Sequence, residues 1–207
     1  MNKKNTELHL ARLEPALETL GSRLASVGVS WIVGGSTGLL LHGVALETEP
    51  RDLDLYADHA SIAVIHEALS VYATDVPQIS ETGMYRSNLS HYRVCDVQVE
   101  LVGSLEVDRG TARYRVETEA VMRRYAMEVK LREARMQVMP LVHELLFNVL
   151  RERPDRYIPI AKAIRLQPIA RHQELWRELA RRNPIGEPFL GTVRSLLPEL
   201  VEQEGPA

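Results

Sequence analysis

A single cysteine, Cys95, stands in 207 residues. That excludes an intramolecular disulfide and a cysteine-rich zinc site. There is no basic excess either: 25 Lys and Arg face 28 Asp and Glu, for a formal charge of −3. Non-specific binding to nucleic acid is electrostatic and would show as surplus positive charge, so any nucleotide bound here needs a local site. No apolar run approaches the ~20 residues that cross a bilayer. Met1 to Leu10 alternates charged and polar residues and has no apolar signal core. These absences predict a soluble, cytoplasmic protein with no membrane partner. What is present is ordinary for a globular chain, 45% hydrophobic and 26% charged, enough to bury a sizeable core.

Periodicity outlines the elements. Leucines at 8, 10, 13, 17, 20 and 24 have near-helical spacing. Pro15 interrupts them, which predicts a helix starting near Glu14, with Pro15 in its first turn and Gly28 at its end. Val29 to Val33 is short, apolar and rich in β-branched and aromatic residues, and predicts a buried strand. Gly34-Gly35-Ser36 follows, then a helix from Thr37. Arg51 to Ala57 alternates acidic with apolar residues, with Asp52 and Asp54 on one face and Leu53 and Leu55 on the other. Ser61 to Tyr72 reads as helix. His91 to Val102 reads as one long strand, with Val97, Val99 and Leu101 opposite Gln98 and Glu100. Short alternations recur at Arg113–Val116 and within Met127–Met139.

Pro140 opens an amphipathic helix whose Glu144 is expected on a solvated face. Arg153-Pro154 breaks it, and helical segments follow near 157–166, 172–182 and 189–203. The order predicts an α/β (α+β) fold: a small mixed sheet flanked by helices, then a helical C-terminal part. Residues 1–139 would form the catalytic unit and 140–207 the helical region packed on it.

Two glycines between a strand and a helix let backbone approach a ligand closely, because neither carries a Cβ. The following helix start offers free N–H groups to a phosphate, and Ser36 adds a hydroxyl that can also cap the helix. Alone, such a turn is an ordinary connection. Asp52 and Asp54, two apart on a strand, project together and repel each other unless a cation lies between them. Hard oxygen ligands of this kind suit Mg²⁺. Glu100 on a later strand could supply a third carboxylate, as could Asp96 in a shifted register.

In this order, Gly34-Gly35-Ser36, Asp52-Leu53-Asp54 and Val99-Glu100-Leu101 resemble the nucleotidyltransferase superfamily, the fold shared with DNA polymerase β. The nearest likeness is to minimal bacterial members, the aminoglycoside nucleotidyltransferase-like and AbiEii toxin-like proteins, and it spans about residues 28–102. The resemblance implies transfer of a nucleoside monophosphate from a nucleoside triphosphate to an acceptor hydroxyl, with pyrophosphate released. It implies Asp52 and Asp54 as ligands of Mg²⁺ or Mn²⁺, and Glu100 as third ligand or base. Gly34, Gly35 and Ser36 would hold the triphosphate. Arg51, just before the acidic pair, is a candidate to neutralise it or contact phosphate, the alternative being a surface salt bridge. The acceptor is open: a small molecule, a protein or an RNA end. Alternatively, the fold serves as a catalytically silent binding or interaction module.

Among the other residues, Trp31 and Cys95 are expected in the core and His42 as a partly buried structural histidine. Tyr85 to Asn88 with His91 to Arg93 offer donors and aromatics for an acceptor or base. Lys162 and Arg165 are candidate basic residues of the C-terminal part. A homodimer held by the Leu-rich C-terminal helices fits any of these functions.

Overall fold

The computed structural model describes the backbone of residues 3–201 and the side chains of residues 10–201. Leu8's side chain, and residues 202 and 203 of the last expected helix, lie outside the described residues. Helix α1 (Lys3–Leu24) runs through Pro15 rather than starting beside it. Proline in a helix interior loses a backbone bond and crowds the preceding turn. Here Leu13, Ala16, Leu17, Leu20 and Leu24 are all buried around it, and that apolar stripe outweighs the defect. Gly28, with a positive φ, lies in the connection after the helix rather than at its end.

Strand β1 (Ile32–Gly34) passes directly into α2 (Gly35–Leu41). A loop containing the buried Val44 and Leu46 leads to β2 (Asp52–Ala57) and α3 (His59–Leu69). A 3-10 turn then precedes β3 (Gln78–Thr82), β4 (Tyr85–Val94) and β5 (Val97–Asp108). The expected single strand from His91 to Val102 is instead the end of β4, a two-residue turn and the first half of β5. Cys95 and Asp96 form that turn, both with positive φ (48° and 63°). Cys95 is consequently exposed at the tip rather than buried, and Asp96 shares that turn instead of the strand face.

The chain continues with β6 (Arg113–Arg115), a π turn at Thr118–Met122 running into α4 (Arg123–Tyr125), and the hairpin β7 (Met127–Leu131) and β8 (Ala134–Val138). Helices α5 (Leu141–Leu150), α6 (Pro154–Arg165), α7 (Ile169–Arg182), α8 (Glu187–Leu196) and α9 (Pro198–Val201) complete it. The eight strands form one mixed sheet in the order β3-β4-β5-β2-β1-β8-β7, with β6 on β5. The α/β reading of the sequence holds.

The two faces of the sheet bury different sets. Leu53, Leu55, Val99 and Leu101 pack with α1 and α3. Tyr56, Ile32 and Val102 pack with the C-terminal helices, α5 foremost. Alternation along β2 therefore puts Asp52, Asp54 and Tyr56 on the same face. Tyr56 is covered by α5, its ring edge-on to His143 with centroids 5.7 Å apart. Asp54 and Asp52, next along the strand, are only partly buried. The acidic pair lies where the helical cover ends.

Candidate active site

The register brings the carboxylates together. In the parallel pairing of β2 with β5, Asp54 faces Glu100 and Asp52 faces Gln98; across the next antiparallel pairing, His91 of β4 faces Glu100. Neighbouring strands are about 4.8 Å apart, so Asp54, Glu100 and His91 form a row across three strands. Antiparallel β1 sets Gly34 opposite Asp54.

The glycine turn is bare for a steric reason. A Cβ on Gly34 would lie 2.6 Å from the Tyr56 ring, and one on Gly35 would lie 1.9 Å from Asp54 Oδ2. Gly35 also has φ +59°, a conformation side chains disfavour. Asp54 thus presses against the turn itself. Ser36 sits inside α2 and does not cap it; Gly34 takes the cap position, with no side-chain bond there. Arg51 is exposed at the entrance to β2.

The electrostatics follow from this crowding. Burial, then the charges of Asp52, Glu100 and Glu144, push the Asp54 carboxyl well above its usual range. Glu100 is also raised, by burial and by Asp52, with His91 opposing. Glu100 Oε1 accepts a hydrogen bond from Gln98 Nε2 at 3.2 Å and lies 3.9 Å from His91 Nε2. Asp75 fixes His91 through both carboxylate oxygens: Oδ1 accepts the backbone N–H at 2.6 Å, and Oδ2 meets Nδ1 at 2.5 Å. Of the donors expected around Tyr85 to Arg93, His91 is the one placed in the carboxylate row.

The chemistry of the donor set fits a small divalent cation: hard carboxylate oxygens that repel one another, gathered on one face beside the glycine turn. Among the described residues, no three His, Cys, Asp or Glu side chains gather closely enough to hold a metal ion by themselves.

One wall of the site escaped the sequence reading. Glu144, expected in solvent, is 1% exposed. All ten residues of α5 are buried, so its polar flank faces the interior. Glu144 Oε1 accepts the Gly35 N–H at 2.8 Å, while its Oε2 is buried with no partner. Burial raises this carboxyl to about 7 against the pull of the Gly35 N–H, Arg151 and Arg156. Around it lies a pocket of about 60 Å³ lined by Gly35, Ser36, Glu144, Arg151, Arg153 and Arg156, among others. Arg153 grips Asp155 through two bonds (2.8 and 2.7 Å), and Arg156 donates to Thr48 Oγ1 at 3.1 Å. Arg156 Nη1 is buried without a partner. Three arginines within six residues, just after a buried helix, were the available sequence signal. Lys162 and Arg165, further along α6, do not line this pocket, and Arg165 pairs with Glu199 at 3.4 Å.

No helix among the described residues is long and apolar enough to cross a membrane. No family model matches the chain, and no curated protein matches it in sequence. Solved structures do match. A Thermotoga maritima protein classed provisionally as a nucleotidyltransferase superposes with a TM-score of 0.56 at 20% identity, covering 81% of this chain and 97% of that one. An antigenic nucleotidyltransferase-like protein from Paracoccidioides brasiliensis is 14% identical over 91% of this chain and 93% of its own, with a TM-score of 0.49. ANT(2″)-Ia in complex with adenylyl-2″-tobramycin gives 0.46 at 9% identity, covering 87% of this chain and 99% of its own. Of these three, the first superposition carries weight, and at its identity it speaks to architecture. Together with the mixed sheet and its flanking helices, it gives this chain a nucleotidyltransferase-like fold.

Proposed function

We propose that the protein is a metal-dependent nucleotidyltransferase, moving a nucleoside monophosphate from a nucleoside triphosphate to an acceptor hydroxyl. The observation that carries this reading is the row of Asp54, Glu100 and His91, with Asp52 beside it, pressed against the Gly34–Gly35 turn. Asp52 and Asp54 would hold Mg²⁺ or Mn²⁺, whose shell commonly includes water and substrate phosphate oxygens as well as one or two carboxylates. When bound, the cation would neutralise phosphate charge and polarise oxygens.

The chain's own residues account for the remainder. Gly34 and Gly35 let Tyr56 and Asp54 pack directly against the turn, Ser36 offers a hydroxyl to phosphate, and Arg51 stands at the entrance. Glu100, held more basic than an ordinary carboxylate by burial and by Asp52, accepts the proton of the acceptor hydroxyl. The acceptor oxygen then bonds to the α-phosphorus, the bond from that phosphorus to the β-phosphate oxygen breaks, and pyrophosphate leaves. His91, fixed by Asp75, faces Glu100 and orients it. The acceptor remains a small molecule, a protein or an RNA end. The residues named here all lie in one chain, and a homodimer is compatible with this reading. A silent module would have no need of Glu100 opposite Asp54, so the register favours catalysis.

The test uses a panel of α-³²P nucleoside triphosphates with Mg²⁺ and pools of small hydroxylated acceptors, RNA and the protein itself. Label transfer and pyrophosphate release that both vanish in Asp52→Asn/Asp54→Asn support the reading. Nucleotide binding that is indifferent to metal and to both aspartates would sink it.

A further inference from the structure

Two buried, unpartnered atoms of opposite charge share one pocket beside the glycine turn. Glu144 Oε2 and Arg156 Nη1 both lack a hydrogen-bond partner, and both residues line the same cavity of about 60 Å³. A buried polar group left unpaired is costly, so such a pair marks a place where a ligand completes the bonding. Arg151 and Arg153 add further positive charge to the lining. Of the three, Arg153 is largely neutralised by Asp155. Arg156 also lies 3.6 Å from Asp155 but keeps one N–H pair free, with its side chain 13% exposed.

Glu144 is the discordant member. Its Oε1 already holds the Gly35 amide at 2.8 Å, a donor that an incoming phosphate oxygen would otherwise take. Its Oε2 confronts any anion entering the arginine pocket. The transferase reading already sets the phosphoryl groups that leave as pyrophosphate beside Gly35 and Ser36, which line this pocket; we propose that Glu144 is the residue limiting their affinity. It holds the Gly35 amide as an internal substitute for phosphate and opposes the anion with its own charge. The inference rests on the nucleotidyl-transfer reading for the identity of the anion. A phosphoryl group entering the pocket either displaces Glu144 from Gly35 or meets it in neutral form, with Oε2–H then donating into the pocket.

Both routes make the same demand of an isosteric neutral side chain. In Glu144→Gln the amide oxygen can still accept the Gly35 N–H, and the amide nitrogen replaces the opposing oxygen with a donor. Titration calorimetry of the full chain with inorganic pyrophosphate, without added metal, reads this directly. We expect Glu144→Gln to bind pyrophosphate at least about tenfold more tightly than the unchanged chain, and Arg156→Gln to weaken binding about tenfold in either background. Circular dichroism melting shows that each variant is folded before it is titrated; Glu144→Asp takes the place of Glu144→Gln should that not fold, its shorter carboxylate expected to release the Gly35 N–H and tighten binding, and Arg156→Lys takes the place of Arg156→Gln. Equal or weaker pyrophosphate binding by folded Glu144→Gln overturns the proposal, because Glu144 then only braces the turn. If that occurs while label transfer still depends on Asp52 and Asp54, only this inference falls. Tighter binding by Glu144→Gln without any label transfer leaves the anion pocket standing and removes the transferase reading. Absence of pyrophosphate binding in every variant overturns the pocket.

Discussion

The site has two walls that position their carboxylates by different means. On the strand wall, Asp52, Asp54 and Glu100 keep part of their surface in solvent, and alternation along β2 and β5 aims them in one direction. On the helix wall, Glu144 and His143 are wholly buried in a helix with no exposed residue. The strand carboxylates crowd one another, and burial raises both Asp54 and Glu100, but their position can be read from period two. A carboxylate in a buried helix must be matched by named partners, here the Gly35 N–H and the arginines after α5. Its role shows only once the chain is folded.

The largest expected effect breaks the strand wall. Replacing Asp52 and Asp54 by Asn should lower nucleotidyl transfer by on the order of 10³-fold or more, read as label transfer at saturating nucleotide, because the charge that would hold the cation is gone. Gly35→Ala should come next. Its Cβ collides with Asp54 Oδ2 at a backbone angle of +59°, and left-handed backbone alone costs a side-chain-bearing residue about 1–2 kcal/mol. Urea denaturation should show at least that loss, together with weakened metal-dependent nucleotide binding; unchanged stability would mean that Asp54 moves aside freely.

Asp75→Asn probes how the strand wall is braced. Asp75 acts through His91 on Glu100, so kcat should fall roughly tenfold, with the acid limb of the pH–rate profile displaced and the nucleotide KM unchanged. A change confined to nucleotide KM would contradict that role.

The helix wall is sharpened by pH. Glu144 is raised from 4.5 to about 7 in the folded chain, so between those values the native state binds more protons than the unfolded state. Stability therefore falls as pH rises through that window. Glu144→Gln should reduce this decline without abolishing it, since Asp54 and Glu100 are shifted in the same direction. His143, lowered from 6.5 to about 3 by burial, works oppositely. Its unfolded form protonates first, so stability is lost as pH falls below about 6.5. Denaturation midpoints across pH 4–8 check both slopes. The smallest effect is expected at the rim: Arg51→Ala should alter nucleotide affinity by less than about fivefold, as exposed charges contribute little.

The strand wall was legible in the sequence for physical reasons. Asp52-Leu53-Asp54 states its own alternation, and Leu53 and Leu55 identify the buried face. Glu100 was placed on the correct face although the strand was read as too long, because alternation persists on both sides of a hairpin turn. The turn itself was missed because Cys95 and Asp96 adopt positive φ without glycine or asparagine to announce it. Helix α1 was cut short at Pro15 by a local rule that the buried leucine stripe overrides. Glu144 was read as solvated because a helical pattern identifies a polar flank but not what covers it. In this fold the cover comes from α2 and the glycine turn, both distant in sequence, and from the arginine segment that follows α5. Gly34-Gly35-Ser36 stands out in the sequence as a glycine turn between a strand and a helix, whereas its neighbours, Asp54 against Gly35 on one side and Glu144 on the Gly35 N–H on the other, come from the fold.

The Cys95–Asp96 turn has a practical consequence. Its thiol is the chain's single cysteine, is exposed, and lies 3.6 Å from Thr19 Oγ1 of α1. A maleimide fluorophore would therefore attach at one defined position without mutagenesis. The labelled tip sits five residues from Glu100 in the chain, beyond the carboxylate row. Its emission would report, in real time, whether the β4–β5 hairpin shifts against α1 when nucleotide and metal enter.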